Sequence, residues 1–214
     1  MRGLYDATLG RWFTAWYGFA MRLVDEFGLR ETRRAVISQA LGRTLDIGTG
    51  TGANLPLYPA EVTRLVLAKP DSHMQGALRR RIHEEGRSNV ELVQAPAEHL
   101  PFANASFDSV VCTMVLCTIP DPTSALVEVA RVLRPGGQLL FLEHVRSEDP
   151  GFARWQDRLE KIWRFLADGC HCNRDSLRTI EGSAFQITTL ERGQMPLAPL
   201  FMKPLIYGAA VLPE

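Results

Sequence analysis

The stretch from Leu45 to Asn54, LDIGTGTGAN, sets a carboxylate, Asp46, just before three alternate glycines, Gly48, Gly50 and Gly52. Glycines in this pattern let the backbone turn tightly and approach a ligand that side chains would exclude. The chemistry this suits is the binding of a nucleoside cofactor. Asp46 then either meets a ligand ammonium group or holds the amides of its own loop. Thr49, Thr51 and Asn54 follow, as cofactor contacts or as caps of the next helix. The same letters fit G-x-G-x-x-G/A through Gly48, Gly50 and Ala53, so the loop alone does not name the cofactor.

Other segments must decide. A ribose is usually gripped by an acid at the end of the second strand, about 20 residues past the glycines. Here that place holds Lys69, in VLAKPDSHM. An ammonium cannot accept from ribose hydroxyls, although it suits the 2′-phosphate of NADP, and Asp71 stands nearby as a substitute acid. In QAPAEHLPF, after the third strand, Ala97 and Glu98 are the candidates to meet an adenine edge. Glu98 serves equally well as a cap. In SFDSVVCTMVLCT the strand end carries Cys112 and Thr113 toward the cleft, although cysteine is also a common core residue.

Glu143 and His144 end the strand of RVLRPGGQLLFLEH and are the leading candidates for a general base, with Asp168 of the DGC segment a third. A strand-end Glu-His pair can instead only fix a loop. Cys112 and Cys117 have a separation seen in zinc pairs, but Cys170-His171-Cys172 is wrongly spaced to complete a standard structural site, and no metal is expected.

These residues need a frame. The chain has 214 residues, 46% of them hydrophobic, and no linker-like run, which predicts a single domain. Its 24 basic and 24 acidic side chains leave no bulk field to recruit nucleic acid. The apolar runs are too short to span a bilayer and the N-terminus lacks signal-peptide order, so a cytoplasmic location with reduced cysteines is expected.

Trp12, Trp16, Phe19, Leu23 and Phe27 recur at helical spacing. Gly28 interrupts this helix, and a second runs from Glu31 to Leu41, ended by Gly42. Strands are read at Thr44 to Ile47, Thr63 to Ala68, Val90 to Gln94, Ser109 to Thr113 and Gln138 to Val145. Helices lie near Ala53 to Leu57, Ser72 to Glu85 and Pro122 to Leu133. After a helix at Phe152 to Leu166, Phe185 to Leu190 and Leu205 to Val211 form a terminal antiparallel pair.

The fold expected is α/β and Rossmann-like. It is a doubly wound, mostly parallel seven-stranded sheet with a C-terminal antiparallel hairpin and N-terminal lid helices, and ligands bind at the carboxyl ends of its strands. Within it, 1–41 is the helical lid, 42–145 the cofactor-binding core and 146–214 the acceptor side.

LDIGTGTG, AEHLPF, SFDSVV and VLRPGG together resemble the class I S-adenosylmethionine-dependent methyltransferases. More narrowly, VVCTMVLCT, RVLRPGG, LEHV, ADGCHCNRDS and PLIYGAAV are similar to the methyltransferase-like thiol methyltransferases; the ubiquinone and menaquinone biosynthesis methyltransferases, which share the first set of motifs, are the next most similar. The resemblance implies S-adenosylmethionine as donor and S-adenosylhomocysteine as product. It implies that Asp46, Gly48, Gly50 and Gly52 surround the methionine part, that Ala97 and Glu98 flank adenine, and that Cys112 and Thr113 lie beside the cofactor. It would place an acid where Lys69 stands.

Methyl transfer from a sulfonium needs alignment more than acid-base help, least of all for a thiol. The expected activity is therefore transfer to a small molecule, a thiol first. The alternatives are C- or O-methylation of a quinone or phenol, an NADP oxidoreductase, and a binding protein that keeps only the fold. Phe13, Trp16 and Tyr17 are candidate walls of the acceptor pocket. Neither nucleic acid nor a membrane span is expected; weak surface association is open, and the oligomeric state is not legible.

Overall fold

The computed structural model describes residues 22–70, 75–167 and 169–214. The aromatic N-terminal stretch with Phe13, Trp16 and Tyr17, and the residues Asp71 and Asp168, lie outside that set.

The described chain opens on a helical turn that is kinked within Asp25–Leu29, where Gly28 takes φ 126°, as its glycine predicts. Helix α1, Arg30–Ile37, follows and ends four residues earlier than expected. Then come β1 (Gly42–Ile47), β2 (Val62–Ala68), α2 (Gln75–Glu84), β3 (Val90–Val93), β4 (Phe107–Thr113) and α3 (Pro122–Val132). The second half holds β5 (Leu133–His144), α4 (Pro150–Leu166), α5 (Ser176–Glu181), β6 (Gln186–Gln194) and β7 (Pro204–Val211).

The seven strands form one sheet in the order β3-β2-β1-β4-β5-β7-β6. The first five pair in parallel, and β7 enters antiparallel between β5 and β6. The expected doubly wound sheet with its terminal hairpin is therefore present. The order reverses between β1 and β4, the crevice where such sheets bind ligands.

Two expectations need correction. The helix read at Ala53 to Leu57 is only a 3-10 turn, Leu55–Leu57. Pro56 stands in the first turn, where proline is tolerated, but Pro59 disfavours helical geometry in Tyr58, which is extended at ψ 129°. Helix α5 was not anticipated; Asp175 caps it by accepting from the Arg178 amide at 3.0 Å.

Strand alternation sorts the core into two layers. Leu45, Ile47, Val110, Cys112, Leu139 and Phe141 pack on one face with α3. Leu65, Leu67, Val111, Leu140 and Leu142 pack on the other with Val36 and Ile37 of α1. Asp46 and Thr113 sit at strand ends between the layers and the crevice, both buried. Among the described residues no helix is long and apolar enough to cross a membrane.

Candidate active site

Beyond Ile47 the chain turns through Gly48, Gly50 and Gly52 at φ 68°, 55° and 86°. These left-handed angles favour glycine, and the glycines differ in what surrounds them. A Cβ on Gly48 would stand 2.1 Å from Val115 Cγ2, so its bareness serves packing. A Cβ on Gly50 would come no nearer to any neighbour than 3.9 Å. The fold itself does not require bare backbone there for space.

Beneath the loop lies a buried polar network. Asp46 Oδ2 accepts from Asn54 Nδ2 at 2.9 Å and from the Tyr58 hydroxyl at 2.8 Å. Asn54 Nδ2 also donates to Thr113 Oγ1 at 3.0 Å. Arg33 Nη1 donates to Asn54 Oδ1 at 2.9 Å and to Thr113 Oγ1 at 3.3 Å, and its other face is ion-paired with Asp25 at 3.3 Å. Asp46, Asn54 and Thr113, all singled out in the sequence, thus meet in one cluster. Asn54 is no helix cap, because its amide is spent inside this network. Arg33 and Tyr58 were not foreseen.

Two buried oxygens beside the glycine loop, Asp46 Oδ1 and Thr49 Oγ1, have no hydrogen-bond partner among the described residues. Orphans of this kind are costly unless a ligand meets them. Burial lifts the Asp46 carboxyl to about 6, against the lowering pull of Asn54, Tyr58 and Arg33.

Because the folded value lies above the unfolded 3.8, the folded chain holds the extra proton between these limits. This group's contribution to stability is therefore greatest below pH 3.8 and falls by about 3 kcal/mol as the pH rises past about 6. In urea unfolding, the stability of Asp46→Asn relative to the parent is expected to rise over that window. A pH-independent difference would contradict the buried carboxylate.

Glu143 is wholly buried, and its Oε1 accepts from the amides of Val115 at 2.9 Å and Leu116 at 3.0 Å. Burial raises its carboxyl to about 7 despite those amides. It holds the loop after β4, which begins with Met114 at φ 54° and brings Val115 against Gly48. Glu143 Oε1 thus braces a loop other than its own, while its Oε2 is buried with no partner among the described residues.

His144 Nε2 lies 3.0 Å from Cys170 Sγ, which is 3.8 Å from Cys117 Sγ. The contact between the two thiols, helped by His144, holds the Cys170 thiol down to about 4 against burial, while the same contact and burial push the Cys117 thiol up.

Lys69 follows β2 and is buried; its amide donates to Val93 O and its carbonyl accepts from the Ala95 amide. It does not extend along its stem into solvent. Ala97 is buried in the core layer, and Glu98 Oε1 accepts from the Asp121 amide at 3.3 Å, a loop-tying contact. The AEHLPF loop is stapled to α3, where Arg131 donates to the Leu100 and Phe102 carbonyls and Glu128 accepts from the Leu100 amide. The Cys112 thiol packs in the core layer of Phe141 and Ile47.

The methyltransferase domain family matches residues 45–141, from β1 through β5. The chain is 37% identical over 194 residues to thiol S-methyltransferase TMT1B from Homo sapiens, covering 86% of this chain and 79% of that one. The chain belongs to the methyltransferase family. Within it, the chain is also 41% identical over 105 residues to the ubiquinone/menaquinone biosynthesis C-methyltransferase UbiE from Haemophilus ducreyi, a match covering 47% of this chain and 40% of that one. The solved YcgJ protein of Bacillus subtilis superposes with a TM-score of 0.67 at 21% identity, over 88% of this chain and 99% of that one, which shows the common fold. The enzyme is a methyltransferase of the S-adenosylmethionine-dependent class, and the open face of Gly50 with the two orphaned oxygens fits that cofactor.

Proposed function

We propose that this methyltransferase transfers the methyl group to the sulfur of a small thiol. The observation that carries the reading is the 37% identity to a thiol S-methyltransferase over most of both chains. The site agrees with it. A carbon or oxygen acceptor needs a base, whereas a thiol needs none; Glu143 Oε1 is held by two loop amides and His144 Nε2 by Cys170, which leaves only Glu143 Oε2 and His144 Nδ1 without a partner among the described residues. A thiol is already a few per cent thiolate near pH 7.

S-adenosylmethionine supplies an electrophilic methyl on a sulfonium whose departure leaves a neutral thioether. On this reading Gly48, Thr49, Gly50 and Gly52 offer backbone and hydroxyl to its methionine part, and Asp46, held by Asn54 and Tyr58, offers its unpaired oxygen to the ammonium. Ala97 and Glu98 border adenine, while Cys112 and Thr113 support the cofactor from the end of β4. Glu143 acts as a positioning residue through Val115 and Gly48. Asp168 is a candidate on the acceptor side.

A panel of thiols, phenols and quinones with methyl-radiolabelled donor tests the reading. Label recovered as an S-methyl thioether from thiols alone is the expected result. Label on a quinone carbon or a phenol oxygen, with thiols inert, would overturn it, the carbon label in favour of the chemistry named for UbiE.

Lys69 carries a separate expectation. If its ammonium faces the ribose, Lys69→Glu restores an acceptor and removes a cation from beside the sulfonium, so S-adenosylhomocysteine should bind about 10-fold tighter in calorimetric titration. Unchanged affinity in a folded variant rejects a ribose-facing lysine.

A further inference from the structure

Outside the cofactor network, one group of side chains is assembled by the fold alone. Cys117 follows β4, His144 ends β5, and Cys170 follows α4, yet the Cys117 Sγ, a His144 ring nitrogen and the Cys170 Sγ all lie within 4.8 Å of one another. The spacing considered in the sequence paired Cys117 with Cys112 and Cys170 with His171 and Cys172. The structure breaks up both groups. Cys112 belongs to the core layer, His171 Nδ1 turns to Glu160 at 2.9 Å, and the Cys172 thiol faces Gln156 O at 3.5 Å.

We propose that Cys117, His144 and Cys170 form a binding site for one soft divalent transition-metal cation, zinc(II) in type. The distances fit. Two sulfurs at about 2.3 Å from a tetrahedral zinc stand about 3.8 Å apart. The Cys117 and Cys170 sulfurs are 3.8 Å apart as they stand. A tetrahedral nitrogen–sulfur edge is about 3.6 Å. The 3.0 Å contact of His144 Nε2 with Cys170 therefore needs to open only slightly.

The charge also fits. Two thiolates, one neutral imidazole and a divalent ion sum to zero, so the loaded site places no net charge in a buried place. Three protein ligands leave a fourth position for water or another donor.

The cluster is held by the loops that carry it. The loop around Cys117 is fixed through Val115 and Leu116 amides on Glu143, and through Arg174, which donates to the Leu116 carbonyl at 2.7 Å and to that of Ile119. The two cysteine segments are tied directly, since the His171 amide donates to the Cys117 carbonyl at 3.0 Å. A ligand set fixed by such outer contacts is pre-organised for a cation.

The test is cobalt(II) titration of the reduced, chelator-treated full chain, read by absorption. The expected result is one cobalt per chain with thiolate-to-metal charge-transfer bands and strong tetrahedral d–d bands. Cys117→Ser and Cys170→Ser should each weaken binding by about 100-fold or more, beyond what outer partners of a metal site contribute. Cys172→Ser should leave it unchanged. Zinc-edge X-ray absorption on the zinc-loaded parent needs no variant and should give two sulfurs and one nitrogen. No charge-transfer band with equimolar cobalt on chain that still binds S-adenosylhomocysteine would overturn the proposal. So would bands that survive in both serine variants, or a zinc shell without sulfur. None of these readouts involves methyl transfer, so the site stands or falls apart from the acceptor.

Discussion

Gly50→Ala is expected to abolish useful cofactor binding while leaving a folded protein, and Gly48→Ala to do nearly the reverse. At Gly50 the added methyl meets no protein atom closer than 3.9 Å, and its cost to folding is the left-handed backbone at φ 55°, about 1–2 kcal/mol. The space it enters is that of the ligand. S-adenosylhomocysteine affinity should fall by about 100-fold or more, the equivalent of about 2.8 kcal/mol.

At Gly48 the methyl would stand 2.1 Å from Val115 Cγ2 and 2.7 Å from its Cβ, atoms that cannot swing away. Overpacking adds about 1–3 kcal/mol to the same backbone cost, so a stability loss of about 2–5 kcal/mol is expected. Denaturant melts and calorimetric titration of the two variants separate these effects. Equal loss of stability in both would mean that Gly50 is bare for the fold's sake.

The second large effect is expected at Arg33, which is 4% exposed and serves Asp25, Asn54 and Thr113 together. Arg33→Met keeps much of the stem but leaves the Asp25 carboxylate without its cation and takes one donor each from Asn54 Oδ1 and Thr113 Oγ1. Removing one member of a buried ionic cluster costs about 3–5 kcal/mol, and for a chain of this size each kcal/mol lowers Tm by about 2–4 °C. A loss of about 10 °C is therefore expected. Because Asn54 also holds Asp46, S-adenosylhomocysteine affinity should fall in the same variant. A variant with unchanged Tm would show that the network does not stabilise the fold.

Arg33 also shows where sequence reading stops. Strand alternation and the glycine loop announce β1, β4 and the crevice, because these are local patterns with a period of two or a fixed spacing. Arg33 carries no motif. Its one signal is that it shares an apolar stripe with Leu29, Val36 and Ile37 of the same helical stretch, a cation placed where the other positions are buried. That mismatch indicates a buried partner without naming it.

Tyr58 carries less warning still, since it follows the 3-10 turn and reaches Asp46 where the chain goes extended before Pro59. Glu143 was legible as a functional or bracing residue, but the loop it braces is 27 residues earlier, a tertiary contact that no local pattern encodes. The same holds for His144 and Cys170, which come together across α4 and the turn after it. The cysteine spacings in the sequence name other partners than those the fold brings together, since such spacing is informative only when the residues share a local turn.

The account rests on the glycine loop above Asp46 receiving an adenosyl sulfonium donor. Calorimetric titration of the full chain with S-adenosylhomocysteine and, separately, with NADPH tests this most directly. One S-adenosylhomocysteine per chain, lost in Gly50→Ala, and no heat from NADPH is the predicted result. Saturable NADPH binding that Gly50→Ala removes, with S-adenosylhomocysteine inert, would contradict it.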